Sequence, residues 1–181
     1  MQTIRFFTLV ATACVLSFSA KSIAGPSDGI SKGKHGVVRC GGNNFLRLAG
    51  AEIQRTNYTF RNYNASVPIT IVRMRFFDAT GAILFDSQAS GFPNSGNGVI
   101  GPGDPTLQPN QTAQFSSNDF LPYLTLTQQP LQLEIEWTAP SKVLALDVSL
   151  ARTNNARDPK TGQIGEERSS HLRECTTIDL K

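Results

Sequence analysis

Apolar and polar residues alternate with a period of two along most of this chain, with no sustained helical period. The clearest run is Leu131 to Trp137. Leu131, Leu133, Ile135 and Trp137 fall on one side and Gln132, Glu134 and Glu136 on the other, which predicts a strand between a core and water. Thr138-Ala139-Pro140-Ser141 then reads as a turn. Val143 to Leu150 repeats the pattern, with Leu144, Leu146, Val148 and Leu150 inward and Asp147 and Ser149 outward. The two runs predict a hairpin or a pair that crosses between sheets.

Ile69 to Phe77 sets Thr70, Val72, Met74 and Phe76 against Ile71, Arg73, Arg75 and Phe77. Asp78-Ala79-Thr80-Gly81 reads as a tight turn into Ala82–Phe85, with Gly81 free to take a positive φ. Glu52 to Tyr63 is an early strand, and Thr112–Ser117 and Tyr123–Thr127 are shorter candidates. From Ala151 the chain predicts a last hairpin around Asp158–Gly162, returning through Glu166 to Cys175. That returning run is polar on both faces, as suits an edge strand whose charges discourage pairing with other chains. Seven to nine short strands of this kind predict an all-β fold, an antiparallel β-sandwich.

The start of the chain has a different character. Arg5, an apolar stretch from Phe6 to Ala20, and small residues at Ser22 and Ala24 have the layout of a signal peptide cleaved before Gly25. Cys14 follows Ala11-Thr12-Ala13, a loose lipobox, so a lipoprotein is the minor alternative. The expected organisation is a signal peptide over 1–24, a flexible Gly/Lys-rich arm over 25–36 and a single sandwich domain over 37–181. The whole chain has a formal charge of +3, but the leader carries Arg5 and Lys21 and no acid, so the mature domain is nearly neutral with scattered bases. Neither nucleic acid nor an anionic membrane surface is an expected partner, and secretion or a periplasmic location is.

Cys40 and Cys175 are the two cysteines beyond the leader, and in an oxidising compartment they predict one disulfide joining the ends of the domain. Closing so long a loop is worth about 4–5 kcal/mol in the chain-entropy picture. The alternative use of these residues is a metal site, since His35 precedes Cys40 and His171 precedes Cys175 by four or five positions.

Phe60-Arg61-Asn62-Tyr63-Asn64, the apolar strand to Phe77, the Asp78–Gly81 turn and Leu107–Thr112 together resemble the immunoglobulin-like or fibronectin-like sandwiches of exported bacterial proteins, over residues 50–150. The resemblance implies architecture and carries over no functional residue.

Site chemistry is sparse. Ser169-Ser170-His171 places neighbouring side chains on opposite faces of a strand, and Glu134 and Glu136 read as a solvated face rather than an acid pair. Asp78, Asp86, Asp104 and Asp119 lack calcium-loop spacing, and Gly101-Pro102-Gly103 is no phosphate loop. The sequons at Asn57, Asn64 and Asn110 decide nothing by themselves. No cofactor is expected, and an enzyme is not. The longest irregular segment, Gln88 to Gln111, reads as a surface linker or, alternatively, as a binding loop: Phe92, Val99 and Ile100 either dock it on the body or, with Asp104, form a contact tip. Trp137 belongs to a core face, which leaves Tyr63, Tyr123 and Phe92 as aromatic platforms for a carbohydrate. The expected function is non-enzymatic binding to, or assembly with, another protein, through that loop or by strand addition. The alternatives are a small-ligand or metal carrier using His35 and His171, and a carbohydrate-binding module.

Overall fold

The alternating runs become ten strands in two antiparallel sheets packed face to face, in a computed structural model that describes residues 31–42, 52–124, 130–158 and 160–181. The strands are β1 (Lys32–Gly41), β2 (Glu52–Arg61), β3 (Ile69–Phe77), β4 (Ile83–Asp86), β5 (Thr106–Leu107), β6 (Thr112–Ser116), β7 (Gln132–Leu144), β8 (Asp147–Arg157), β9 (Ile164–Glu174) and β10 (Thr176–Leu180). One sheet has the order β10-β1-β7-β3-β4, with β5 also on β3; the other has the order β6-β2-β8-β9. The expected signal peptide 1–24, Cys14, the start of the arm and residues 125–127 of the Tyr123–Thr127 candidate lie outside the described residues.

Four expectations change on contact with the fold. First, β1 begins at Lys32, so Lys32–Gly36 is not arm but strand, paired to β7 and β10. Gly36 is small for a reason: a Cβ there would lie 2.9 Å from the Trp137 Nε1 and 2.8 Å from the Asp179 carbonyl oxygen. Second, Thr138–Ser141 is not a turn. β7 pairs with β1 at Thr138 and again at Val143, and the residues between them, including Pro140, form a bulged excursion within one strand. The chain crosses between sheets later, at Ala145–Leu146, both buried. The second run therefore buries Val143, Ala145, Leu146, Val148 and Leu150, with Leu144 only half-buried, and Ser149, expected outward, is buried as well. Third, β3 has a register shift between Ile71 and Arg73 against β7. Shifting by one residue exchanges faces, so Ile69 and Ile71 are buried before it and Met74 and Phe76 after it, with Val72 exposed. Fourth, Leu131 is exposed and precedes the strand, whereas Glu134 is buried.

The core between the sheets is aromatic at its centre. Phe120, on a single 3-10 turn (Ser117–Phe120), meets Phe76 edge-on with centroids 4.8 Å apart, and Tyr58, Phe85 and Phe115 lie around it. Burial pushes the Tyr58 hydroxyl well above its ordinary value, so it stays a neutral donor to the Gly41 carbonyl at 2.9 Å.

One end of the sandwich is locked by the asparagines at the end of β2. Buried Asn62 donates from Nδ2 to the Val67 and Leu107 carbonyls and accepts on Oδ1 from the Asn64 amide. Asn64 exchanges two hydrogen bonds with the Leu144 backbone, at 2.9 and 3.0 Å, in the manner of a strand partner. A buried amide satisfied in this way fixes a corner where an unpaired one would destabilise it. On the outer face of the first sheet, Glu134 lies between Arg39 and Arg75, and Arg75 also reaches Glu136. The two glutamates are thus part of an ion-pair ladder across β1, β7 and β3, not a free solvated face.

Candidate functional site

The two long sides of the sandwich are finished differently, and the candidate residues divide between them. On the β6 side, the 88–111 segment begins with a single helical turn, Ser87–Ser90, capped by Asp86 on the Gln88 amide. The segment then folds back on itself. The Ser95 amide donates to the Ile100 carbonyl at 2.7 Å, and the Ile100 amide to the Ser95 hydroxyl at 2.9 Å. Ile100 is 1% exposed, and Phe92 and Val99 pack against the core, so all three dock the segment. Asp104 is exposed, and its carboxylate accepts from the Thr106 amide.

The docked segment also closes an edge. The Gly96 amide donates to the Gln114 carbonyl at 2.8 Å, while the Asn97 side chain donates to the Thr112 carbonyl and accepts from the Gln114 amide. Residues 96–97 therefore satisfy the free backbone groups of β6 as a further strand would.

The opposite side is left open. β9 and β10 follow one another, with Cys175 between them, and each is the last strand of its sheet. The Cys175 amide donates to the Val148 carbonyl, and its sulfur is bonded to Cys40 of β1 with Cα atoms 4.6 Å apart. The disulfide thus joins the two sheets where the chain passes from one to the other. Such a bond belongs to an oxidising compartment. Among the described residues, none pairs with the outer edge of β9 or β10. Against β8, β9 is regular from Ser169 to Glu174 and bulged before that. Leu172 is 70% exposed, Ile178 47% and Ile164 43%, the largest apolar exposure on this side.

Two clefts flank the disulfide. The first, about 760 Å³, is lined by Arg61, Tyr63, Asp147, Glu174 and Thr176. Arg61 pairs with Asp147 at 3.0 Å, and burial followed by the Asp147 charge pushes the Tyr63 hydroxyl above its ordinary value. The second, about 420 Å³, is lined by Arg39, Cys40, Arg152, His171, Arg173 and Glu174, among others. Arg152 is anchored through its Nη2 donating to the Gly42 carbonyl at 2.7 Å. This cationic set was missed in the sequence because its members are scattered over three strands.

The alternative metal pair, His35 and His171, is not brought together. His171 lines the second cleft beside the disulfide, but His35 lies five residues along β1 from Cys40, roughly 17 Å away at strand rise. Both sulfurs are in the disulfide, and among the described residues no group of three or more His, Cys, Asp or Glu could hold a metal ion. Asp78, Asp86, Asp104 and Asp119 sit in separate turns, each accepting local hydrogen bonds. Of the aromatic platforms, Phe92 packs on the core and Tyr123 packs edge-on against Phe85, so Tyr63 is the one that lines a cleft. Among the described residues no helix is long and apolar enough to cross a membrane.

No protein-family model matches the chain, and no curated protein matches it. The crystal structure of Thermotoga maritima 1070 is similar with a TM-score of 0.37 and 7% identity, covering 82% of this chain and 97% of that one. Similarity at that level assigns neither family nor function.

Proposed function

We propose that this is an exported β-sandwich, released by removal of residues 1–24, that acts without catalysis by binding or assembling with another protein through its β9–β10 side. The observation that carries the reading is the unequal treatment of the two sides: residues 96–97 cover the β6 edge, while β9 and β10 present backbone groups and Leu172 and Ile178 to solvent. A regular edge of six residues, Ser169–Glu174, is long enough to accept an added strand, and the bulges before it limit how far such pairing extends. The Cys40–Cys175 bond supports export and holds this side rigid, which lowers the ordering cost of binding. The test is co-purification of the exported protein from the cells that make it. Leu172→Asp with Ile178→Asp is expected to lose a partner that the parent retains, at unchanged stability. Equal capture by both would contradict the reading.

A carbohydrate is the second reading, favoured by Tyr63 beside Arg61, Asp147 and Glu174 in the larger cleft. Tyr63→Ala separates the two, since it removes glycan binding and leaves protein capture through β9 intact.

A further inference from the structure

We infer that the 420 Å³ cleft beside the disulfide seats acidic side chains of the protein partner, an inference that rests on the protein-binding reading above and gives the partner its chemistry. Opposed residues of an antiparallel pair share a face. The ladder Tyr58–Leu150–Arg173 therefore runs across β2, β8 and β9 on the inner face, and the adjoining row is Thr56–Arg152–His171. The first row is core at Tyr58 and Leu150 and cationic at the edge; the second changes from buried Thr56 to Arg152 and His171. Three nitrogen-bearing side chains thus converge at the rim of the inner layer.

The charges of the two arginines are not cancelled among the described residues. Arg39 is spent on Glu134, to which both its Nε and Nη2 donate. Among the described residues, Arg152 has only the neutral Gly42 carbonyl, and Arg173 and His171 have no ion pair. The acid that lines the cleft, Glu174, is opposite Ser149 on the outer face, where Arg61 also reaches that serine. Arginine forks suit carboxylates, which they bind by paired charge-assisted hydrogen bonds. The location fits the occupant: a strand added along Ser169–Glu174 presents every second side chain to the inner face, toward Arg173 and His171. An acidic residue at those positions would meet the guanidinium groups directly.

The experiment titrates the purified, oxidised protein with a fluorescent hexaglutamate peptide and with its hexaglutamine counterpart at low ionic strength. Hexaglutamate is expected to bind and hexaglutamine not to. Arg173→Glu should weaken binding about tenfold or more, the loss of at least one charge-assisted contact. Glu166→Gln, in the bulged part of β9, should leave it unchanged, with matching unfolding curves for all three proteins. No binding of hexaglutamate, equal binding of hexaglutamine, or indifference to Arg173→Glu overturns the inference. Tighter binding of inorganic phosphate than of the peptide also overturns it, in favour of a small phosphate ligand. Partner capture by the Leu172/Ile178 variant is read separately, so the acidic seat can fail while the protein-binding surface stands.

Discussion

The β6 side and the β9–β10 side of this sandwich face the same problem, unpaired backbone at the end of a sheet, and solve it by different means. On the β6 side a long segment with little regular structure folds back, buries Ile100 and lends residues 96–97 to the edge. On the other side the chain ends one sheet, crosses at a disulfide and starts the edge of the other, with no cover over either strand among the described residues. Non-covalent docking makes the first side closed and self-contained. A covalent bond makes the second rigid while leaving its backbone and apolar side chains available. A loop dense in Gly, Pro and Asn is thus the protected part of the molecule, and a polar strand is the accessible one.

The largest effect is expected from removing the covalent bond. Cys40→Ser with Cys175→Ser should cost about 4–5 kcal/mol in urea unfolding, because a separation of 135 residues leaves a large loop unconstrained in the unfolded chain. A loss below about 1 kcal/mol would mean that the open side does not depend on the bond. Next is Ile100→Ala, which empties a buried site under the closing segment and should cost about 2–4 kcal/mol by the same measurement. Partner capture should survive in the folded fraction of that variant, which sets the two sides apart. Asn97→Ala should cost about 1 kcal/mol, since it removes hydrogen bonds on the β6 edge without disturbing the core. Its more telling consequence is self-association seen by size exclusion, because the freed edge can then pair with another copy.

The smallest effect is on the acid limb of stability. The Arg73 guanidinium beside Asp86 holds that carboxyl below the ordinary carboxylate range, with help from the Gln88 amide. A carboxyl lowered on folding contributes stability above its unfolded value and loses it as pH falls through the folded one. Urea midpoints recorded from neutral pH downward should therefore decline less steeply for Asp86→Asn than for the parent. An identical decline would detach Asp86 from the anchoring of the closed side.

Much of the architecture was legible because period-two alternation is local. β3 follows Ile69–Phe77 to the residue, the Gly162 amide donates to the Asp158 carbonyl ahead of the expected returning edge strand, and Gly81 takes a φ of 84°. The misreadings share one cause: the deciding partner is distant in sequence. Thr138–Ser141 carries turn residues, yet β1 pairs on both sides of it. Gly36 looks like linker until Trp137 packs beside it. Glu134 alternates as a surface residue until Arg39 and Arg75 arrive from neighbouring strands. β10 was not expected at all, because Thr176–Leu180 is short and becomes a strand only on β1. For the site, the cysteine pair was readable from count and compartment. The cationic cleft was not, since Arg152, His171 and Arg173 meet only through the β8–β9 register.

The most direct measurement places a photo-crosslinking side chain at Leu172 in one version of the protein and at Asn97 in another, each produced in the cells that make it. Adducts to a second polypeptide at 172 and none at 97 are the predicted result. Adducts at 97 with none at 172 would put the contact on the side described here as closed, and contradict the account.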